Sequence, residues 1–162
     1  MSAITQTAVP RPLLYTAEER ARRDGTRWTM VQGILAPVQF MAFAVSLVLV
    51  LCYLATGDGY TAATASILIK TALLYTIMVT GAIWEKTVFG QYLFAPAFFW
   101  EDVVSFAVIA LHTLYLWGLL TGRIGTETLM FIALAAYATY VLNAAQFILK
   151  LRAARLSAPV AP

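Results

Sequence analysis

Two adjacent carboxylic acids, Glu101 and Asp102, lie at the start of the third of four long apolar runs in the sequence. If both are buried at the edge of an apolar layer they cannot both ionise cheaply, because desolvation and mutual repulsion favour the neutral form of at least one. A carboxylic acid that keeps its proton at neutral pH is a general acid. The two residues are therefore candidates for acid–base chemistry. The alternative is that acids in a first helical turn stabilise the positive end of the helix.

A histidine shares a helix face with one of these acids. Glu101, Ser105, Val108 and His112 recur at spacings of four, three and four residues, so a helix places them in one row. His112, the only histidine in the chain, then lies about 16 Å deeper than Glu101. A histidine inside an apolar segment can ligate a metal ion or move a proton. The alternative is a histidine that only forms hydrogen bonds between packed helices.

The elements that must position these residues are membrane-spanning helices. The 162-residue chain is 61% hydrophobic and 12% charged, whereas soluble domains are about 25% charged. Four apolar segments are long enough to cross a bilayer as helices, and the sequence lacks the short alternating segments typical of spanning strands. We predict an all-α integral membrane protein, a four-helix up-down bundle with spans near residues 28–55, 62–84, 98–120 and 128–150.

The four spans form one predicted domain, residues 28–150, between an N-terminal tail (1–27) and a C-terminal tail (151–162). Thr16 and Glu19 have the spacing of a capping box, which predicts a short basic juxtamembrane helix in the N-terminal tail. Lysine and arginine residues concentrate in the two tails and at Lys86. This distribution predicts that both termini and the loop after Lys86 are cytoplasmic.

Two single residues inside the spans also carry predictions. Lys70 lies about two turns into the second span, from where its long side chain can extend outward to the membrane surface. The alternative for Lys70 is a counter-ion role inside the bundle. Cys52 is the only cysteine, which excludes an intramolecular disulfide, and we predict that it is a small core residue.

Polar residues gather at the cytoplasmic end of the predicted bundle, beside an aromatic connector. Seven aromatic residues occur between Trp84 and Asp102, whereas most connectors are short and polar. We predict a pocket open to the cytoplasmic interface that binds a flat apolar ligand between aromatic walls. The amides, acids and cation at its level are Gln32, Gln39, Glu85, Lys86, Glu101, Asp102, Asn143 and Gln146.

The connector and five further blocks of sequence resemble the 3-vinyl bacteriochlorophyllide hydratase family of phototrophic bacteria. The connector block reads FGQYLFAPAFFWED at residues 89–102, and the other similar blocks are residues 15–24, 28–37, 80–86, 137–143 and 150–155. The resemblance implies a hydratase that adds water to the C3 vinyl group of chlorophyllide a or 3-vinyl bacteriochlorophyllide a. The product would be the 3-(1-hydroxyethyl) derivative on the way to bacteriochlorophyll a.

This implied reaction suggests roles for the candidate residues. We expect Glu101, protonated, to give its proton to the terminal vinyl carbon, and Asp102 or Glu85, ionised, to orient and deprotonate the attacking water. Lys86 or Lys150 would meet the substrate propionate; the alternative for Glu85 and Lys86 is an interfacial ion pair. The other expected substrate-binding residues are His112 on the substrate magnesium, Trp84, Tyr92, Phe98 and Trp100 stacked on the ring, and Gln91, Asn143 and Gln146.

The implied chemistry needs no redox centre, cofactor or intrinsic metal site, because the substrate carries its own magnesium. Expected partners are the (bacterio)chlorophyllide substrate and the lipid bilayer, with a homo-oligomer or other pigment-biosynthesis enzymes as further candidates, and no nucleic acid. The expected location is the bacterial inner membrane, cytoplasmic or intracytoplasmic. The competing hypothesis is a pigment-binding or complex-assembly subunit that leaves chlorophyllide unchanged. A small transporter is a weaker alternative, because no acid lies in mid-span.

Overall fold

A computed structural model describes residues 14–156 of the chain. The tail predictions for residues 1–13 and 157–162 lie outside the described residues. Within the described part the chain is all-helical. The helices are α1 (Ala17–Gly25), α2 (Arg27–Thr56), α3 (Tyr60–Phe89), α4 (Phe99–Thr121) and α5 (Thr126–Leu156).

Local sequence signals begin and end these helices. At the start of α1, Glu19 N donates to Thr16 Oγ1 (3.2 Å) and Thr16 N donates to Glu19 Oε2 (2.7 Å), which completes the predicted capping box. Gly90 ends α3 with φ of 85° and donates its N–H to Lys86 O. This left-handed conformation favours glycine and starts the aromatic loop, residues 90–98, in a new direction.

The four long helices are apolar enough and long enough to cross a membrane. Helices α2 and α3 have 30 residues each and α5 has 31, so each is about 45 Å long. They exceed the predicted spans because the helices continue past the apolar segments into polar sequence at their ends. Large apolar side chains cover the outside of the bundle, as a lipid-facing surface requires; examples are Ile69, Val79, Leu120, Leu142 and Ile148.

The helices pack as two antiparallel hairpins that close into an up-down bundle. Residue pairs joined by side-chain hydrogen bonds run in opposite directions along α2 and α3, as in Gln32 with Thr80 and Ser46 with Ser66. Helices α4 and α5 pair in the same way, and α2 contacts α5 while α3 contacts α4. The apolar core between the four helices includes Val50, Ile67, Val108, Tyr115 and Met130. The loop of residues 90–98 therefore defines one end of the bundle, called the loop end below.

Helix α1 packs beside the loop end against α3. Arg22 Nε donates to Val88 O (2.8 Å), a carbonyl near the end of α3. Tyr15, immediately before α1, is 3% exposed and stacks on Phe89 with ring centroids 5.8 Å apart. Burial raises the pKa of the Tyr15 phenol, although the nearby Arg23 guanidinium opposes this shift. The short helix is thus anchored to the bundle by one arginine and one tyrosine.

Two single-residue predictions were wrong. Lys70 does not extend outward: its side chain is fully buried, and Nζ lies 3.8 Å from the centre of the Tyr140 ring. An aromatic face inside the bundle offers the ammonium group a favourable electrostatic contact, so outward extension is not the only way to accommodate it. Cys52 lies on the exposed surface of α2 and is not a core residue.

Candidate active site

Glu85 and Asp102 meet at the loop end of the bundle. Glu85 lies near the end of α3 and Asp102 in the first turn of α4, and both are buried. Their carboxyl groups lie close enough together to interact electrostatically. A hydrogen bond between them needs a proton on one carboxyl, since two carboxylates offer only acceptors. The pair, called the carboxyl pair below, can therefore hold one transferable proton.

The aromatic loop binds the carboxyl pair through its backbone. Phe94 N donates to Asp102 Oδ2 (2.7 Å), and Ala95 N donates to Glu85 Oε2 (3.1 Å). Ala95 is completely buried over the pair. Each carboxyl therefore accepts a hydrogen bond from one loop amide. The loop covers the pair and hides it from solvent.

Phe94 adopts an unusual backbone conformation in this loop. Its φ is 59°, and it is the one non-glycine residue with positive φ in the described part of the chain. A bulky residue with such a φ is rare and strained. The Asp102 carboxyl holds the Phe94 amide, and the Phe94 ring stacks on Phe106 with centroids 5.4 Å apart and 12° between the ring planes. These two contacts maintain the strained loop conformation.

Glu101 is engaged in a separate ion pair. Lys150 Nζ lies 2.5 Å from Glu101 Oε2 and also donates to Ala97 O. The Glu101 side chain is 6% exposed and that of Lys150 is 26% exposed, so the pair is only partly screened by solvent. Lys150 therefore occupies the Glu101 carboxyl, which is the proton donor expected from the sequence.

Helix α5 supports this ion pair through Asn143. Asn143 Nδ2 donates to Glu101 O (2.7 Å), and Ser105 Oγ donates to Asn143 Oδ1 (3.3 Å). Ser105 is buried, as its place in the row that starts at Glu101 predicted, and Asn143 is buried opposite it. Gln146 lies on the same face of α5. Its Oε1 is buried without a hydrogen-bond partner among the described residues.

The aromatic residues predicted to stack on a ligand divide into two groups. Trp84 and Phe98 pack against each other (centroids 5.6 Å apart) in a cluster that closes the loop end, together with Tyr15, Phe89 and Phe147. Tyr92 and Trp100 are 61% and 67% exposed. Only the second group is accessible to a ligand without rearrangement. Sequence reasoning did not include Tyr15 and Phe147 in the site; the apolar residue directly before the capping box was a signal for Tyr15.

The remaining predicted binding residues lie at the edge of the loop or far from it. Lys86 Nζ donates to Gly90 O (2.7 Å) and lies over the Tyr92 ring, and the described residues show no ion pair between it and Glu85. Gln91 is exposed, and its Nε2 donates to Leu93 O (3.0 Å). His112 is buried in the middle of α4, ten residues from Asp102, which corresponds to about 15 Å. The structure therefore does not bring His112 to the carboxyl pair.

Two open grooves lie elsewhere on the bundle. One, of about 240 Å³, is lined by Met41, Ala42, Val45, Ser66 and Ile69; the other, of about 340 Å³, is lined by Tyr75, Thr76, Val79 and Thr80. Neither contains a predicted site residue. Among residues 14–156, no group of three or more His, Cys, Asp or Glu side chains is arranged to hold a metal ion. A large ligand reaches the carboxyl pair in this fold only if the aromatic loop moves.

The fold and this site define a membrane-type four-helix bundle with acid–base side chains buried at one end. The 2-vinyl bacteriochlorophyllide hydratase (BCHF) family model matches residues 15–153, so the chain belongs to this family. The 2-vinyl bacteriochlorophyllide hydratase of Cereibacter sphaeroides is 75% identical over 153 residues, which cover 94% of each chain. That of Rhodobacter capsulatus is 75% identical over 148 residues, covering 91% of this chain and 86% of the relative. No solved structure matches the chain.

Proposed function

We propose that this chain catalyses the addition of water to the ring vinyl group of chlorophyllide a or 3-vinyl bacteriochlorophyllide a during bacteriochlorophyll biosynthesis. Membership of the family and the two relatives named as hydratases, each matched over almost the whole chain, support this function. The same vinyl carbon position is numbered 3 in the systematic tetrapyrrole scheme and 2 in the older one. The product is the 3-(1-hydroxyethyl) pigment.

The observation that carries the mechanism is the position of the Glu85 and Asp102 carboxyl groups, which are buried close to each other and are each bound by one loop amide. The carboxyl that holds the proton transfers it to the terminal vinyl carbon, so a C–H bond forms and the vinyl π bond breaks. The macrocycle delocalises the positive charge that develops on the adjacent carbon. Water adds to that carbon and loses one proton to the carboxylate, which restores the carboxyl pair.

The sequence predicts that Glu101 is the general acid. This mechanism assigns that role to Glu85 and Asp102 instead. The Glu101 carboxyl is already engaged in an ion pair with Lys150, so Glu85 and Asp102 are the better candidates for the proton donor. As a fixed anion near the pair, Glu101 stabilises the cation that forms on the substrate. Lys150 is largely occupied by Glu101 and Ala97, which makes Lys86 the better candidate for binding the substrate propionate.

Access of the flat substrate requires displacement of the aromatic loop. The amides of Phe94 and Ala95 occupy acceptor sites on both carboxyls, and the substrate replaces these contacts when the loop opens. The exposed Tyr92 and Trp100 then offer stacking surfaces at the entrance, and Trp84 and Phe98 form the inner wall. Contact between His112 and the substrate magnesium would require the pigment to enter about 15 Å deeper than the carboxyl pair. The proposal therefore does not depend on His112.

We extend the proposal to the placement of the chain in the membrane. The excess of Lys and Arg in the tails supports cytoplasmic termini and a cytoplasmic aromatic loop in the bacterial inner or intracytoplasmic membrane. Helix α1 then lies at the cytoplasmic surface, where its arginines meet lipid headgroups. Association with a second copy or with other enzymes of pigment synthesis is a further part of this proposal.

The experiment incubates the purified full-length chain in detergent with vinyl chlorophyllide and follows product by mass and absorption. Wild-type protein and the exposed control Glu127→Gln, at the opposite end of the bundle, are expected to add one water and to shift the absorption band to the blue. The Glu85→Gln/Asp102→Asn variant is expected to bind pigment and leave its mass unchanged. Pigment binding by wild-type protein with no change of mass would instead indicate a carrier or assembly subunit.

A further inference from the structure

Two buried nitrogen atoms in the centre of the bundle lack hydrogen-bond partners among residues 14–156. They are Lys70 Nζ on α3 and His112 Nε2 on α4, and both residues are at most 1% exposed. A buried polar atom without a partner is costly, and proteins normally satisfy such groups. Neither atom has a role in the proposed hydration chemistry at the loop end. The two therefore require a separate explanation.

The two side chains face the same small region. Lys70 Nζ lies 3.8 Å from the Tyr140 ring centre, and the His112 ring lies 6.0 Å from the ring of Tyr137, one turn away on α5. Lys70 and His112 are also close enough to interact electrostatically. They form no direct hydrogen bond with each other among the described contacts. Two tyrosine rings of α5 therefore lie beside the two nitrogens that lack partners.

The hydrogen-bond geometry of His112 determines what a shared partner of the two nitrogens must offer. Its Nδ1 lies 2.8 Å from Val108 O, a carbonyl that only accepts, so Nδ1 carries the proton. Nε2 of the neutral ring then presents a lone pair and needs a donor. Lys70 Nζ presents N–H groups and needs an acceptor. The occupant must accept from one nitrogen and donate to the other.

This requirement excludes simple ions. An anion would accept from Lys70 but would face the lone pair of Nε2 with no proton to donate. A metal ion would bind Nε2 but would be repelled by the positive charge of the Lys70 ammonium group. None of the chain's eight acidic residues lies in the middle of a long helix, so the chain supplies no carboxyl at this level. Water satisfies both partners, and two polar partners are enough to hold a buried water.

We propose that Lys70 and His112 bind one water molecule at the centre of the bundle. This water links α3 to α4 and completes a polar layer that already joins α2 to α3 and α5 through Ser46, which bonds to Ser66 (2.7 Å) and to Tyr137 Oη (2.6 Å). It fills a site about 15 Å from the carboxyl pair along α4. The site is independent of the hydratase proposal and is tested without pigment.

The test is a double-mutant cycle measured by thermal unfolding of the pigment-free, full-length protein in nanodiscs. Lys70→Met and His112→Leu each leave the water and the remaining nitrogen unsatisfied, and each is expected to lower the melting temperature by roughly 5 °C or more. The double variant removes both nitrogens, and its melting temperature is expected to fall by much less than the sum of the two single losses. A control cycle of Lys70→Met with Thr113→Val, whose hydroxyl bonds to Tyr75, should be additive.

A high-resolution electron cryomicroscopy or crystallographic map of the wild-type protein provides the second measurement. The proposal expects one density peak within hydrogen-bond distance of both Lys70 Nζ and His112 Nε2. Additive losses in the first cycle would overturn the proposal, as would a map in which the two nitrogens contact each other directly. If the single variants do not fold, the map alone decides.

Discussion

Replacing Lys150 by methionine removes the partner of the Glu101 carboxylate while keeping a side chain of similar length. The variant leaves Glu101, whose side chain is 6% exposed, as a buried anion without its cation. Breaking a fully buried ion pair costs about 3–5 kcal/mol, whereas an exposed pair contributes about 0–1 kcal/mol. Because Lys150 is 26% exposed, solvent screens part of the interaction, and we expect an intermediate loss of about 2 kcal/mol.

The assay is thermal unfolding in nanodiscs. For a chain of this size, a loss of about 2 kcal/mol lowers the melting temperature by roughly 4–8 °C. The matched control is Lys86→Met, which removes an exposed lysine that donates to Gly90 O and lies over the Tyr92 ring. We expect this variant to lose less than about 1 kcal/mol of unfolding free energy. The double variant Lys150→Met/Glu101→Met removes both charges and should recover most of the stability that Lys150→Met loses.

Two results would refute this reasoning about the ion pair. One is a Lys150→Met variant that melts at the wild-type temperature, because Lys150 would then contribute nothing to the stability of the folded state through Glu101. The other is a double variant whose loss equals the sum of the Lys150→Met and Glu101→Met losses, because coupled partners must deviate from additivity.

Three further predictions concern the loop end. Phe94→Gly should be more stable than Phe94→Ala by about 1 kcal/mol in chemical unfolding, since both lack the ring but only glycine adopts φ of 59° without strain; equal stability would argue against strain. Asn143→Leu leaves the Glu101 carbonyl and Ser105 hydroxyl without their partner, so a loss of about 1–3 kcal/mol is expected in the same assay, and a neutral effect would contradict it. The raised pKa of Tyr15 predicts a stability contribution that is complete below pH 10 and declines as the pH rises through the folded-state pKa. In melting measured as a function of pH, Tyr15→Phe should abolish this part of the loss of stability at alkaline pH. An unchanged pH profile in Tyr15→Phe would exclude the contribution of Tyr15.

Periodicity predicted much of the fold because membrane helices obey a simple rule. The row of Glu101, Ser105, Val108 and His112 on α4 faces inward as its spacing indicated, since a polar row toward lipid is costly. The four long apolar helices and the helix after Thr16 were predicted for equally local reasons. The charged residues other than Lys70 could also be assigned from the sequence to the ends of the long helices or to the segments outside them.

The pairing of the carboxyl groups could not be predicted from the same patterns. Sequence adjacency suggested Glu101 with Asp102, whereas the bundle pairs Asp102 with Glu85 and Glu101 with Lys150. Two features that have no periodic signal decide this: the path of the aromatic loop, whose amides bind Glu85 and Asp102, and the lengthwise position of α5 against α4, which brings Lys150 to the level of Glu101. The outward extension predicted for Lys70 was wrong for a similar reason. Its partner, the Tyr140 ring, lies seventy residues away in sequence, so no local pattern indicates the contact.

The most direct test of the proposed mechanism is the single-turnover rate of vinyl hydration in three variants, with pigment affinity measured separately. If the Glu85–Asp102 pair supplies the proton, Glu85→Gln and Asp102→Asn should each lower the rate by about 10²–10⁴-fold at saturating pigment, and Glu101→Gln should lower it far less. A rate lost in Glu101→Gln and retained in Glu85→Gln and Asp102→Asn would contradict the account.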